Sequence, residues 1–236
     1  MVPQTVSRGA CAPPGGRGVR PYTSSAGSRS AAGNGKRRNG AAAAVARGII
    51  PTRVMQKTRY ALVAYVRSAL GEFVENLRRE LHPELPHLAA HLTVLPPRPL
   101  QGTEDSALQL LENICGGEDP FEVELGTVET FVPVTPTVYI RVENGSSRMC
   151  ELHSRLSGET SLVFCEEWPY IPHMTIVKMN GEQAAQNAFR IARERWSQFG
   201  GNRRIRLERL SFVREDAQNC WVDLAPVRLG RTLVSR

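Results

Sequence analysis

His91-Leu92-Thr93-Val94 and His173-Met174-Thr175-Ile176 set out the same order of side chains twice: His, apolar, Thr, apolar. On a β-strand, residues i and i+2 share a face. Each copy therefore presents an imidazole and a hydroxyl on one side and two apolar side chains on the other. The apolar pair can enter a core while the His/Thr pair faces a cleft. Two such strands brought together would aim two histidines and two threonines at one small anion.

The sequence around each copy repeats as well. Arg59–Val66 is a β-branched and aromatic run, which predicts a strand. Ser68–Leu81 carries Leu70, Phe73, Val74, Leu77 and Leu81 at helical spacing. Ala89–Leu95 is the first motif strand, stopped by Pro96-Pro97. Glu104–Ile114 is a second helix, ended by Gly116-Gly117, and Phe121–Phe131 reads as a strand. The same order follows again. Thr137–Glu143 alternates as a half-buried strand, joined by Asn144-Gly145-Ser146-Ser147 to a helix over Ser147–Leu156. Pro172–Met179 is the second motif strand. Asn180, with Gln183 three residues on, is placed to cap a helix with Ala185, Ala188, Phe189, Ala192 and Trp196 on one face. Ile205–Val213 and Cys220–Val227 predict a closing hairpin. Position 121 lies 30 residues past His91, and position 204 lies 31 past His173. Two equivalent lobes, with the motif strands in equivalent places and a cleft between them, account for this spacing.

Charge is distributed unevenly. The 236-residue chain has a formal net charge of +7, but residues 1–54 hold eight Arg and Lys36 with no acid, which is +9. The remainder has 21 basic against 23 acidic residues, or −2. The high pI belongs to the N-terminal segment and does not by itself point the globular part at nucleic acid. That segment, rich in Gly, Ala, Ser, Arg and Pro, holds too little large apolar surface to offset its ordering entropy, so disorder is expected. It reads as a basic arm for RNA, as a transit peptide, or as a leader upstream of a true start at Met55. The last is favoured because the periodic pattern begins just after Met55. The organisation expected is thus a tail over 1–54 and one domain over 55–236. Five scattered cysteines without a CxxC pair suit a reducing, cytoplasmic setting. No apolar run reaches the roughly 18–20 residues of a membrane span.

Histidine holds or gives a proton near neutral pH, its unperturbed pKa being about 6.5. Two of them flanking one reacting centre can divide the work, one taking a proton from a nucleophile and one giving a proton to a leaving group. Thr hydroxyls can steady the developing charge on phosphate oxygens. Cleavage of a phosphodiester by water needs these parts and no metal or other cofactor. A lone buried His is more often a hydrogen-bonded core residue than a catalyst. The duplication in equivalent places is what sets His91 and His173 apart. A metal site is the other chemical reading, weakened because no Asp, Glu or Cys accompanies either His. His82, His87 and His153 fall outside the pattern and are read as surface or loop residues.

At these residues the chain resembles the 2H phosphoesterase superfamily, marked by two HXTX motifs, and especially its RNA 2′,3′-cyclic phosphodiesterase and 2′-5′ RNA ligase-like branch. The resemblance covers about residues 58–227, and the motif separation of 82 residues fits. It implies a bilobal α+β domain with a pseudo-twofold axis. Two antiparallel sheets line a central cleft and helices lie outside, preceded here by the disordered tail. It implies metal-independent opening of a 2′,3′-cyclic phosphate to a 2′-phosphate, with ligation as the reverse reaction. His91 corresponds to the proton donor and His173 to the proton acceptor, while Thr93 and Thr175 hold phosphate oxygens. A basic residue, often Arg, stands five places after the second His in this branch, and here it is Lys178. Tyr170 and Pro172 fit the run into the second motif, and Tyr170 joins the phosphate-binding candidates. Members of the RNA-processing type usually carry an aromatic stretch ending in Gly after the first motif, where this chain has Pro96-Pro97-Arg98-Pro99. The implied partner is an RNA 2′,3′-cyclic phosphate end or a nucleotide, acted on by a monomer away from membranes. Two alternatives remain: an RNA-end-binding module without turnover, with the tail as an arm, and a phosphodiesterase for a non-RNA substrate.

Overall fold

In the computed structural model the chain runs β1 (Tyr60–Tyr65), α1 (Ala69–Leu81), β2 (His91–Arg98), α2 (Glu104–Gly116), β3 (Phe121–Thr130) and β4 (Thr137–Asn144). It continues through α3 (Ser146–Ser157), β5 (His173–Lys178), α4 (Glu182–Ser197), β6 (Arg204–Leu207), β7 (Arg209–Ala217) and β8 (Cys220–Arg228). The structure describes residues 58–84, 89–159, 162, 166–217 and 220–230. The segment 1–54 and His87, both read from the sequence, lie outside the described residues. No described helix is long and apolar enough to cross a membrane.

The strands form two four-stranded sheets, in the orders β2-β1-β7-β8 and β5-β4-β3-β6. Every pairing is antiparallel. The motif strands occupy equivalent edges, β2 in one sheet and β5 in the other. Both motifs alternate as the period-2 reading requires. Leu92, Val94, Met174 and Ile176 are buried, while His91, Thr93, His173 and Thr175 are partly exposed.

Each lobe is not one contiguous repeat. β3 leaves the first repeat and joins the second sheet, beside β4, while β7 leaves the second repeat and joins the first, beside β1. The stretch predicted as a single strand over Ile205–Val213 is therefore two strands in two sheets, divided at Glu208. The alternation itself slips there: Ile205 and Leu207 are buried, and then Leu210 and Phe212. A one-residue phase shift turns the side chains over, and here it marks the crossing between sheets. The predicted hairpin forms between β7 and β8.

The helices cross over in the same way. α1 leans on β5, and α3 leans on β2. A single core cluster consequently joins both sheets, with Leu62, Leu92, Leu125, Ile140, Met174, Phe212 and the apolar stripes of the helices in it. Thr103 caps α2 by accepting from the Ser106 amide at 3.2 Å, and Ser106 reciprocates from the Thr103 amide at 3.2 Å. Asn180 does not cap α4. Gly181 holds the extended cap position with no side-chain cap bond, leaving Asn180 one residue too far out. Gly145 begins α3 at φ +80°, and a Cβ there would stand 2.5 Å from the Glu122 carbonyl oxygen, so the turn out of β4 requires glycine.

Candidate active site

β2 and β5 abut at the junction of the two sheets, so the two motifs meet there. His91, Thr93, Thr175 and Lys178 line one cleft of about 330 Å3. His173 does not itself line this volume. Its ring packs edge-on to Phe131, with centroids 5.2 Å apart, and lies 5.0 Å from Tyr139.

The two histidines are held alike. His91 Nδ1 lies 2.8 Å from the carbonyl oxygen of Ala89, and His173 Nδ1 lies 2.6 Å from that of Ile171. In both, the acceptor is the carbonyl two residues before the ring. A carbonyl only accepts, so each Nδ1 carries its hydrogen and each Nε2 is the nitrogen left for chemistry. Burial lowers the pKa of both rings, opposed by these backbone bonds. The Arg78 cation and His173 lower His91 further. Both imidazoles are therefore biased toward neutrality, and one proton shared by the pair is favoured over two.

Arg78 is a feature that the motif reading passed over. From α1, its Nε donates to the Ile176 carbonyl at 3.0 Å and its Nη2 to the Thr175 carbonyl at 2.6 Å. One turn earlier, Glu75 Oε1 accepts from the Ala90 amide at 2.9 Å, just before His91. One helix thus grips the backbone of both motif strands. A trace was present in the sequence: Arg78 falls four residues after Val74, at the border of an otherwise apolar stripe.

A second bracket lies behind β2. His153, read as a surface or loop residue, is instead buried on α3, with Nδ1 2.8 Å from the Val94 carbonyl oxygen. Its ring stacks on Tyr170 at 3.9 Å. The Tyr170 hydroxyl donates to the Thr93 carbonyl at 2.7 Å, and burial raises its pKa, which keeps it protonated as that donor. Tyr170, a phosphate-binding candidate in sequence, is thus bonded to the strand backbone and is not among the residues lining the cleft. Arg98 is also buried. It donates to the carbonyls of Pro96 at 3.0 Å and Leu162 at 3.0 Å, and pairs with Glu166. Glu166 lies 3.3 Å from His153 Nε2 as well. The proline-rich departure after the first motif is therefore a pinned continuation of β2. Lys178, at the end of β5, is exposed on the cleft wall. Among the described residues no group of three or more His, Cys, Asp or Glu is arranged to hold a metal ion.

The fold and site define a two-lobed enzyme scaffold with paired His/Thr strands, and comparison with known proteins gives it a family. The 2′-5′ RNA ligase superfamily model matches residues 66–219, and the chain belongs to that superfamily of 2H phosphoesterases. A protein of Halalkalibacterium halodurans named "putative phosphoesterase" is 26% identical over 118 residues, 50% of this chain and 68% of its own. A Bacillus cereus protein of the same name is 24% identical over 174 residues, 72% of this chain and 96% of its own. Among solved structures, Escherichia coli LigT complexed with NADP+ aligns with a TM-score of 0.52 at 14% identity, covering 74% of this chain and 99% of LigT. A Thermus thermophilus protein aligns with a TM-score of 0.51 at 15% identity, with the same coverage. These structural likenesses speak to the fold. Family membership makes the chain a phosphoesterase.

Proposed function

We propose that this phosphoesterase opens 2′,3′-cyclic phosphates, on RNA ends or nucleotides, to 2′-phosphates without a metal, and catalyses 2′-5′ ligation when a 5′-hydroxyl takes the place of water as the nucleophile. One observation carries the reading: two equivalent histidines have Nδ1 engaged by a backbone carbonyl and Nε2 free, on the two strands whose threonines, with His91, line one cleft. In the forward direction His173 Nε2 accepts a proton from water. The water oxygen bonds to phosphorus, and the bond from phosphorus to the 3′ oxygen breaks. That oxygen takes the proton from His91 Nε2. Thr93, Thr175 and Lys178 hold the non-bridging oxygens and neutralise charge as it builds. LigT, crystallised with NADP+ and with ATP, supports a nucleotide-sized ligand in a fold of this kind. The setting we propose is RNA processing in the cytoplasm.

The test is turnover of adenosine 2′,3′-cyclic phosphate by the full chain in EDTA, with product positions assigned by phosphorus NMR. Activity should persist in EDTA. His91→Ala and His173→Ala should each lower kcat/KM by about 10²–10⁴-fold, the usual loss for one general acid or base. Undiminished turnover in both variants would overturn the mechanism, and loss in EDTA would point to a metal-dependent hydrolase.

A further inference from the structure

β2 and β5 abut without being ladder partners. Each is the outermost strand of its own sheet, and no ladder among the described strands joins them. Within a sheet, backbone bonds hold neighbouring strands about 4.7–4.9 Å apart. Between the two motif strands that constraint is missing. An outermost strand also leaves peptide groups that must find other partners. Side chains fill both roles here, and they do so at matching positions.

Thr93 and Thr175 are the equivalent threonines of the two motifs. The carbonyl of each accepts from a side chain of the opposite half of the chain. Thr175 accepts from Arg78 Nη2 at 2.6 Å, and Thr93 accepts from the Tyr170 hydroxyl at 2.7 Å. Each donor is anchored in its own half. Arg78 lies on α1 one turn after Glu75, which holds the Ala90 amide next to His91. Tyr170 lies just before β5, in a segment tied to β4 where Val142 N donates to the Pro172 carbonyl at 3.0 Å. Arg78 therefore reaches from the side of β2 to β5, and Tyr170 from the side of β5 to β2. Arg78 also donates through Nε to the Ile176 carbonyl at 3.0 Å, so it forks onto two successive carbonyls, which a lysine ammonium does not reproduce. The Tyr170 ring is fixed by its stack on His153 at 3.9 Å, which aims the hydroxyl. A carbonyl held in this way fixes the peptide plane beside the threonine Cα, and with it the place of the threonine hydroxyl.

We propose that Arg78 and Tyr170 are a reciprocal pair of positioning residues that set the separation of the Thr93 and Thr175 hydroxyls across the cleft, and so the grip on the reacting phosphate. This rests on the function proposed above, in which the two threonines hold phosphate oxygens. Neither Arg78 nor Tyr170 is among the residues lining the cleft, so both act through the strands and not on the ligand.

The experiment uses Tyr170→Phe, which keeps the ring and removes the hydroxyl, and Arg78→Lys, which keeps the charge and removes the fork. Calorimetry on the full chain measures the Kd and the stoichiometry of inorganic phosphate binding, beside kcat for adenosine 2′,3′-cyclic phosphate. Losing one hydrogen bond to a charged group costs about tenfold or more in affinity, and a displacement of about 1 Å costs up to about 10²-fold in rate. Each single variant should therefore raise the Kd for phosphate by about tenfold and lower kcat by more than that, at full binding stoichiometry. The double variant should lose less than the product of the two, because both residues govern one distance. A merely structural role lowers the Tm and the stoichiometry but leaves Kd, and kcat per binding site, as they were, and that result overturns the proposal. A change in one single variant alone also overturns it, as do losses that multiply in the double variant. If the unaltered chain turns over no cyclic phosphate, the function proposed above falls, while coupled losses of phosphate affinity still carry the positioning pair. An unaltered chain that binds no phosphate overturns both.

Discussion

The two reactive nitrogens are prepared by what surrounds them more than by what they are. Each imidazole is committed at Nδ1 to a backbone carbonyl and desolvated by its neighbours. Both pKa values are therefore below the ordinary value of about 6.5. The acid–base scheme needs a pair carrying one proton. That state is lost as pH rises through the higher of the two values and becomes doubly protonated as pH falls through the lower. The expected kcat/KM profile is a bell centred on the acid side of pH 6.5, declining through neutrality. A bound phosphodiester anion favours the charged ring, so the kcat profile should lie at higher pH than that of kcat/KM. Steady-state rates across pH 4–9 in buffers of constant ionic strength would check this, and an optimum above about pH 8 contradicts it. His153, by contrast, has both ring nitrogens occupied within the fold, so it positions β2 and takes no part in proton transfer to a ligand.

Among the elements, α1 has the most demanding start. Near its start is Gly71, where a Cβ would lie 1.8 Å from the Val66 carbonyl oxygen and 2.9 Å from the carbonyl carbon. Alanine in place of glycine gains up to about 1 kcal/mol of helix propensity. The contact is with backbone that closes β1, where Val66 N also donates to the Ala90 carbonyl at 2.8 Å, so it cannot swing aside. Overpacking of this kind costs about 1–3 kcal/mol or more, and the clash should win. Gly71→Ala should lower Tm by several degrees, at roughly 2–4 °C per kcal/mol for a domain of this size. Thermal unfolding followed by circular dichroism would read it, and an unchanged or raised Tm would show that the α1 start yields easily. Because Glu75 and Arg78 extend from this helix to both motif strands, the variant should also lose activity below its Tm.

On the scale of the whole molecule, the exchange of β3 and β7 between sheets ties the lobes together. Neither sheet can be completed by one repeat, and one apolar cluster runs through both. The lobes should therefore unfold as one unit. Calorimetry should give a single transition whose van't Hoff enthalpy matches the calorimetric enthalpy. Two resolved transitions would mean that a lobe is stable without its exchanged strand.

Much of this was legible in the residues themselves. Alternation in His91–Val94 and His173–Ile176 determined which side chains enter the core and which face out, since the period of a strand is two whatever it packs against. The helical stripes and the Gly145 turn were local as well. The pairing partners were not. The order Arg204–Leu207, Arg209–Ala217 carries a phase slip at Glu208, but a slip does not say which sheet the next strand joins. That depends on edges supplied by strands far away in the chain. The same holds for His153 and Tyr170, whose places are set by carbonyls of β2, for Arg98, held by the Leu162 carbonyl and Glu166, and for Trp221, which reaches the cleft only because β8 pairs with β7. The sequence by itself determined the two halves of the site. Tertiary structure decided that they meet, what holds them still and what lies beside them, because long-range strand pairing is set by the burial of whole faces and not by any local preference.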